Sequence, residues 1–347
     1  MKAVLDKKHQ PIVIVSNSLS GGGAEKSMLA LHQEFLKKGI RSYLVALNSS
    51  KSVSKVQNTI ELKRTWKGGI RDTFRNFQEF KSKIERINPK TIIVNCELPE
   101  LYISLLKLKN TRIISVEHTS VPWHKRRAIG VWVRNILKLK KIEWVTVVKG
   151  EKKVWMIGNN AKYIANPYIS SSNLRKFFEV KPSLVFIGGI KPNKRPEWVI
   201  EAGIKNNLKV DLYGEGQYSE ILKAKYSKFH KNINFHGYKS NVWKLVHGNS
   251  LVVVPSEFEG DGMVIIEAII CRFPLVLAWN KDLIKFGLAE KHYFKDLNEL
   301  AFVIQKNKNS NFRNLIVSDK LTKNLGEIRS LDLITSQWVS FLNKSEN

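Results

Sequence analysis

Glu259 and Glu267 are separated by seven residues that include Gly260, Asp261 and Gly262. On one continuous helix the two carboxylates would stand a little over two turns apart, about 12 Å. The glycines allow the first half to fold back as a loop, so both carboxylates can face a single ligand. Glu267 lies in the apolar run VIIEAII, where a carboxylate is costly unless something hydrogen-bonds it. A second group joins Gly188 and Gly189 to Lys191, Lys194 and Arg195. Glycine amides and a lysine at the end of a strand can cradle a diphosphate. His118 follows the apolar run 112–116, the usual place for functional side chains in parallel sheets. Gly21, Gly22 and Gly23 open an apolar-striped segment, which reads either as anion or sugar binding at a helix start or as tight strand-to-helix packing.

These residues need elements to hold them. Residues 251–254, β-branched and ended by Pro255, read as a strand buried on both faces; 263–271 read as an apolar helix and 275–278 as a second buried strand. That is one βαβ unit, and ligands of open α/β sheets bind at the carboxyl ends of such strands. Upstream, strands are expected at 11–15, 43–47, 91–95, 112–116, 144–148 and 162–165. Helices are expected from Gly23 to Gly39 and over 73–87, 100–108 and 150–157. A domain boundary is expected at Asn166-Pro167, giving a first domain over 1–167, a hinge over 168–182 and a second domain over 183–318. The second domain has strands at 184–187, 210–213 and 233–236, with Gly214, Gly237 and Tyr238 at strand ends. Residues 319–347 read as helical.

The chain's 347 residues suffice for two α/β domains, and 58 Lys and Arg against 30 Asp and Glu give a net charge of +28. Such an excess predicts an anionic partner, either nucleic acid or an anionic membrane surface. No aromatic-studded RNA motif or zinc-finger spacing appears, and the lysines are scattered, which favours the membrane. The stretch 121–141 is the most basic amphipathic one: Trp123, Ile129, Val133, Ile136 and Leu137 can share a helical side, with His124, Lys125, Arg126, Arg127 and Arg134 around it. A core helix with a solvated basic face fits that pattern too. Cys96 and Cys271 read as core thiols of a reduced, cytoplasmic protein, with no metal site. The N-terminus reads as a first strand rather than a signal peptide, and no run of about eighteen apolar residues occurs.

The segment Pro255, Ser256, Glu259, Gly260, Gly262, Met263, Glu267, Ala268 resembles the signature of the retaining glycosyltransferases of family 4. The resemblance runs over about Gly21 to Ala278, strongly in the second half. It implies the GT-B fold, two doubly wound Rossmann-like domains facing across a cleft, with the nucleotide held by the second and the acceptor by the first. It also implies a terminal helix over 331–342 crossing back to the first domain.

By that resemblance Glu267 holds the ribose, while Glu259 with the amides of Gly260, Asp261, Gly262 and Met263 meets the transferred sugar. Lys194 grips the donor phosphates, His118 reaches sugar or acceptor, and Gly22, Gly23 and Glu25 face the cleft. Gly189 stands where the family carries an arginine, so Lys191 or Arg195 is expected to supply that charge. Arg272 replaces a usual glycine. The implied activity is sugar transfer from a nucleotide sugar, UDP- or GDP-linked, to a lipid-linked or lipopolysaccharide acceptor, with retention and without a metal or other cofactor. A GT-B-like epimerase or hydrolase, or a basic nucleic-acid-binding protein, is the alternative.

Overall fold

The computed structural model describes residues 11–19, 21–49, 56–64, 69–119, 122–123, 126–148, 155, 161–169 and 181–344. The expected hinge, except for its ends, the expected helix 150–157, except for Trp155, and Val121, His124 and Lys125 lie outside them. The chain divides into two compact units, Met1–Ile169 with Arg329–Asn347, and Ser170–Ile328.

The first unit contains strands β1 (Ile12–Ser16), β2 (Ser42–Asn48), β3 (Thr59–Arg64), β4 (Thr91–Asn95), β5 (Arg112–Glu117), β6 (Glu143–Thr146) and β7 (Ala161–Tyr163). Its helices in this part of the chain are α1 (Gly23–Lys37), α2 (Gly69–Ile87), α3 (Glu97–Leu105) and α4 (Arg127–Leu139). The strands pair in parallel in the order β3-β2-β1-β4-β5-β6-β7. A strand such as TIIVN in β4, with an apolar centre and buried at every position, requires cover on both faces. Met28, Leu31 and Phe35 of α1 supply it on one side, and Phe80, Tyr102, Val133 and Leu137 of α2, α3 and α4 on the other.

The second unit contains β8 (Ser183–Ile187), β9 (Lys209–Tyr213), β10 (Ile233–Gly237), β11 (Leu251–Val254), β12 (Leu275–Ala278) and β13 (Tyr293–Phe294). Its helices are α5 (Pro196–Asn206), α6 (Tyr218–Lys225), α7 (Met263–Ile270), α8 (Leu297–Asn307) and α9 (Asp319–Ile328). Its order is β10-β9-β8-β11-β12-β13, again all parallel. In both sheets the chain winds outward from its first strand and then returns to that strand's other side. The crevices where winding reverses, between β1 and β4 and between β8 and β11, are where such sheets take ligands.

The last helix, α10 (Leu331–Asn343), belongs to the first unit. Trp338 is buried beside α1, Lys38 Nζ donates to Asp332 at 2.8 Å, and the Arg112 guanidinium donates to the carbonyls of Phe341 and Leu342. The second unit runs to Ile328 rather than ending at the expected 318. The reason is that α9 stays with α7, through Arg272 to Asp319 at 2.8 Å and Thr322 Oγ1 to the Ile269 carbonyl at 3.4 Å. α3 starts three residues before the expected 100, because Glu97 and the proline-containing segment after it already wind as helix.

Candidate functional site

In the second unit the loops at the carboxyl ends of β8 and β11 meet at the switch point. After β8, Gly188 and Gly189 lead to a 3-10 turn, Pro192–Lys194, and Arg195 in the left-handed region (φ 48°) starts α5. The turn is tied to the β11–α7 loop by Glu257 N–H donating to the Asn193 carbonyl at 3.0 Å. This brings Lys194 Nζ to 2.6 Å from Glu259, and Arg195 to 2.7 Å from Glu257. The lysine expected to grip a diphosphate is thus paired with the carboxylate expected to meet the sugar. Ser256 Oγ donates to the same Glu259 oxygen at 2.8 Å.

The β9 loop completes the crevice. A Cβ on Gly214 would stand 1.8 Å from the Gly188 carbonyl oxygen and one on Gly216 would stand 2.0 Å from that of Ile190, so this contact between loops admits only glycine. Gly214 N–H donates to the Gly237 carbonyl at 2.9 Å, which carries the end of β10, and the half-buried Tyr238, into the same row of strand ends.

Glu267 projects from α7 and is half-buried rather than buried; its carboxylate accepts a hydrogen bond from Trp243 Nε1 at 2.7 Å. Gly262 caps α7 in the left-handed region (φ 68°), where a Cβ would also meet the Phe286 ring at 2.6 Å. Sequence reasoning missed the residues that brace this loop. Asp282 accepts from Glu259 N–H at 3.2 Å, Asn280 Nδ2 donates to the Ser256 carbonyl at 2.8 Å, and Lys285 Nζ donates to the Gly260 carbonyl at 2.8 Å. All three follow β12 and carry no local pattern; only their place beside the β11 loop gives them a role.

In the first unit, Asn95 Nδ2 donates to Ser16 Oγ at 3.0 Å across the switch point, and its Oδ1 is buried without a partner among the described residues. His118 follows β5, and its Nε2 is likewise buried and unpartnered. Burial alone pulls its pKa down to about 4, so at neutral pH it is an uncharged donor or acceptor and not a proton source. The Glu25 carboxylate accepts from Gly22 N–H at 3.0 Å and so closes the start of its own helix, with Gly22 exposed at the N-cap and Gly23 as the first helical residue. Cys96, half-buried at φ 78°, has a thiol pushed well above its usual range, first by burial and then by Glu25, Glu117, Glu100 and Glu97. It is therefore no nucleophile.

Behind His118 lies a buried ion cluster absent from the sequence reading. Arg134 of α4 donates to Glu100 at 3.1 Å and Glu117 at 2.5 Å, its guanidinium over the Trp144 ring at 4.8 Å. Trp123 Nε1 also donates to Glu100, at 2.8 Å. Burial raises the Glu117 pKa, with Arg134 opposing the rise and Glu100 adding to it. This corrects which side of the 121–141 stretch lies at the surface. Trp123 is buried against Gly130, and Val133, Arg134 and Leu137 face the core; Ile129, Val131, Trp132 and Leu139 are the exposed apolar residues.

Over residues 172–281 the sequence matches the family described as Glycosyl transferases group 1. A poly(ribitol-phosphate) alpha-N-acetylglucosaminyltransferase of Staphylococcus aureus is 28% identical over 195 residues, 51% of this chain and 38% of that protein, so this chain spans well under half of that relative. The Campylobacter jejuni GalNAc-alpha-(1->4)-GalNAc-alpha-(1->3)-diNAcBac-PP-undecaprenol alpha-1,4-N-acetyl-D-galactosaminyltransferase is 24% identical over 298 residues, 79% of this chain and 82% of that one. The structure of sucrose-phosphate synthase from Thermosynechococcus elongatus superposes with a TM-score of 0.72 over 97% of this chain and 99% of that chain, at 17% identity. The fold, two parallel-sheet α/β units, is that of the GT-B glycosyltransferases.

Proposed function

We propose that the protein is a retaining, metal-independent glycosyltransferase. It moves a hexosyl or N-acetylhexosaminyl group from a UDP- or GDP-linked donor to a hydroxyl of a lipid-linked, lipopolysaccharide or capsule acceptor at the inner face of the cytoplasmic membrane. The observation that carries this reading is the Lys194–Glu259 pair at the β8/β11 switch point, with Glu267 on α7, the helix that directly follows the Glu259 loop. The relatives' names, both transferases of N-acetylated hexosamines and one of them named for an undecaprenol-linked glycan, support the sugar class and the acceptor class.

In this reading the donor diphosphate takes Lys194 from Glu259. Lys194 then stabilises the leaving group as negative charge grows on it in the transition state. Glu259 is freed to hold the transferred sugar and Glu267 accepts from the ribose hydroxyls. The acceptor proton passes to a donor phosphate oxygen, so no side chain becomes a nucleophile. Neutral His118 contributes a hydrogen bond to sugar or acceptor.

A panel of nucleotide sugars screened by thermal stabilisation tests the donor: at about 100 times its dissociation constant a ligand stabilises the native state by about 2.7 kcal/mol. Transfer by the responding donor is then followed with and without EDTA, and the anomeric configuration of the product is read by NMR. Loss of activity with EDTA, or inversion, overturns the mechanism; release of free sugar with no acceptor consumed would make the protein a hydrolase.

A further inference from the structure

The turn after β8 carries three cations that are not equivalent. Lys194 is committed to Glu259, and Arg195 is committed twice, to Glu257 at 2.7 Å and to the Trp198 ring at 4.8 Å. Lys191 is exposed and has no carboxylate partner among the described residues. Its side chain folds back along its own turn, with Cε 3.4 Å and Cδ 3.7 Å from the place a Cβ on Gly189 would take. The amides on either side of Gly189 are engaged, Gly188 N–H with the Tyr213 carbonyl at 2.9 Å and Ile190 N–H with that of Glu215 at 3.0 Å. Gly189 N–H has no partner among the described residues. A free ammonium and a free amide therefore share one bare stretch of backbone at the switch point.

Resting on the donor reading above, we propose that Lys191, together with Gly189 N–H, is the second phosphate-binding group for a nucleoside diphosphate, and that Arg195 is a brace between two loops. Recruiting Lys191 breaks no existing interaction. Recruiting Arg195 would break its ion pair and its ring contact, and would loosen the loop that carries Glu259. The missing side chain at Gly189 has a use in this arrangement: a Cβ alone fits at van der Waals distance, but a longer side chain takes the space of the lysine stem.

Isothermal titration with UDP, GDP and ADP identifies which diphosphate the wild type binds. Lys191→Ala is expected to weaken that binding at least about tenfold, Lys191→Arg to retain most of it, and Arg195→Ala to lose no more than about threefold. Gly189→Leu is expected to weaken the wild type similarly while adding little to Lys191→Ala, a coupling that general damage to the loop would not produce. Lys191→Ala binding within twofold of wild type, Arg195→Ala losing as much as Lys191→Ala, or additive Gly189→Leu and Lys191→Ala effects would each overturn the assignment alone. A wild type that binds none of the three overturns the donor reading, and this assignment with it.

Discussion

In the proposed reaction Glu259 meets the sugar with its Oε1 engaged by Lys194 at 2.6 Å, and Lys194 reaches a phosphate by leaving that carboxylate. A diphosphate favours that exchange by offering the lysine a stronger anion. Glu259→Gln is expected to slow transfer while leaving nucleoside diphosphate binding unchanged or tighter, since the lysine loses a competitor. Glu267→Gln is expected to weaken nucleotide binding at least tenfold, because a charged hydrogen bond contributes about 1.5–3 kcal/mol. Glutamine can still accept from Trp243 Nε1, so that loss reports on the ligand rather than on the helix. Calorimetry with each variant separates the two; reversed effects would exchange the roles.

His118 behaves differently from an exposed histidine. Its folded pKa of about 4 lies below the ordinary 6.5, so on acidification the unfolded chain takes up the proton first. His118 therefore makes stability rise with pH between about 4 and 6.5, and it stays neutral throughout the physiological range. NMR titration of its ring nitrogens should show no protonation above about pH 5; a midpoint near 6.5 would mean that the ring is solvated.

Among the elements, the end of β5 is tied to α3 and α4 by the Glu100–Arg134–Glu117 cluster, in which one guanidinium serves two buried carboxylates. Arg134→Met, which removes the charge but keeps most of the bulk, should destabilise the protein by about 3–5 kcal/mol, because two carboxylates are left without their cation. Urea unfolding measures this, and Glu100→Gln added to Arg134→Met should recover part of the loss. A change under about 1 kcal/mol would show that water already serves the carboxylates.

The same cluster marks the limit of what α4 discloses in its sequence. Its residues fit one apolar side nearly as well from either direction, and Glu100 and Glu117, 34 and 17 residues away from Arg134, together with Trp123 just before the helix, decide which side goes in. By contrast β11, α7 and β12 follow from local pattern alone, because wholly apolar strands and an apolar helix between glycine and proline have few other ways to be satisfied. The braces Trp243, Asn280, Asp282 and Lys285 lie between these extremes. They are ordinary loop residues until the parallel order of the sheet sets them beside Glu259 and Glu267.

For the molecule as a whole, a net charge of +28 needs an outlet, and α4 supplies a surface on which charge and apolar area coincide. Ile129, Trp132 and Leu139 are 43%, 48% and 83% exposed, at spacings of three and seven that keep them on one helical side, with half-buried Ile136 between. Exposed Arg126, Arg127, Lys138 and Lys141 flank them. No helix among the described residues is long and apolar enough to cross a membrane, so contact through this side would be interfacial. Each Lys or Arg near an anionic leaflet contributes about 1 kcal/mol, and an apolar side chain that enters the headgroup layer adds to that. The protein is therefore expected to sediment with anionic vesicles, to be released by salt, and to partition weakly onto neutral ones. Trp132→Ser should reduce the partitioning without altering the fold, since the ring is exposed, whereas Trp123→Ser should destabilise the first unit by removing one donor to Glu100 and the ring packed against Gly130. Equal binding to neutral and anionic vesicles, or undiminished binding by Trp132→Ser, would separate the charge from any membrane role and leave the outer side of α4 free for a different partner.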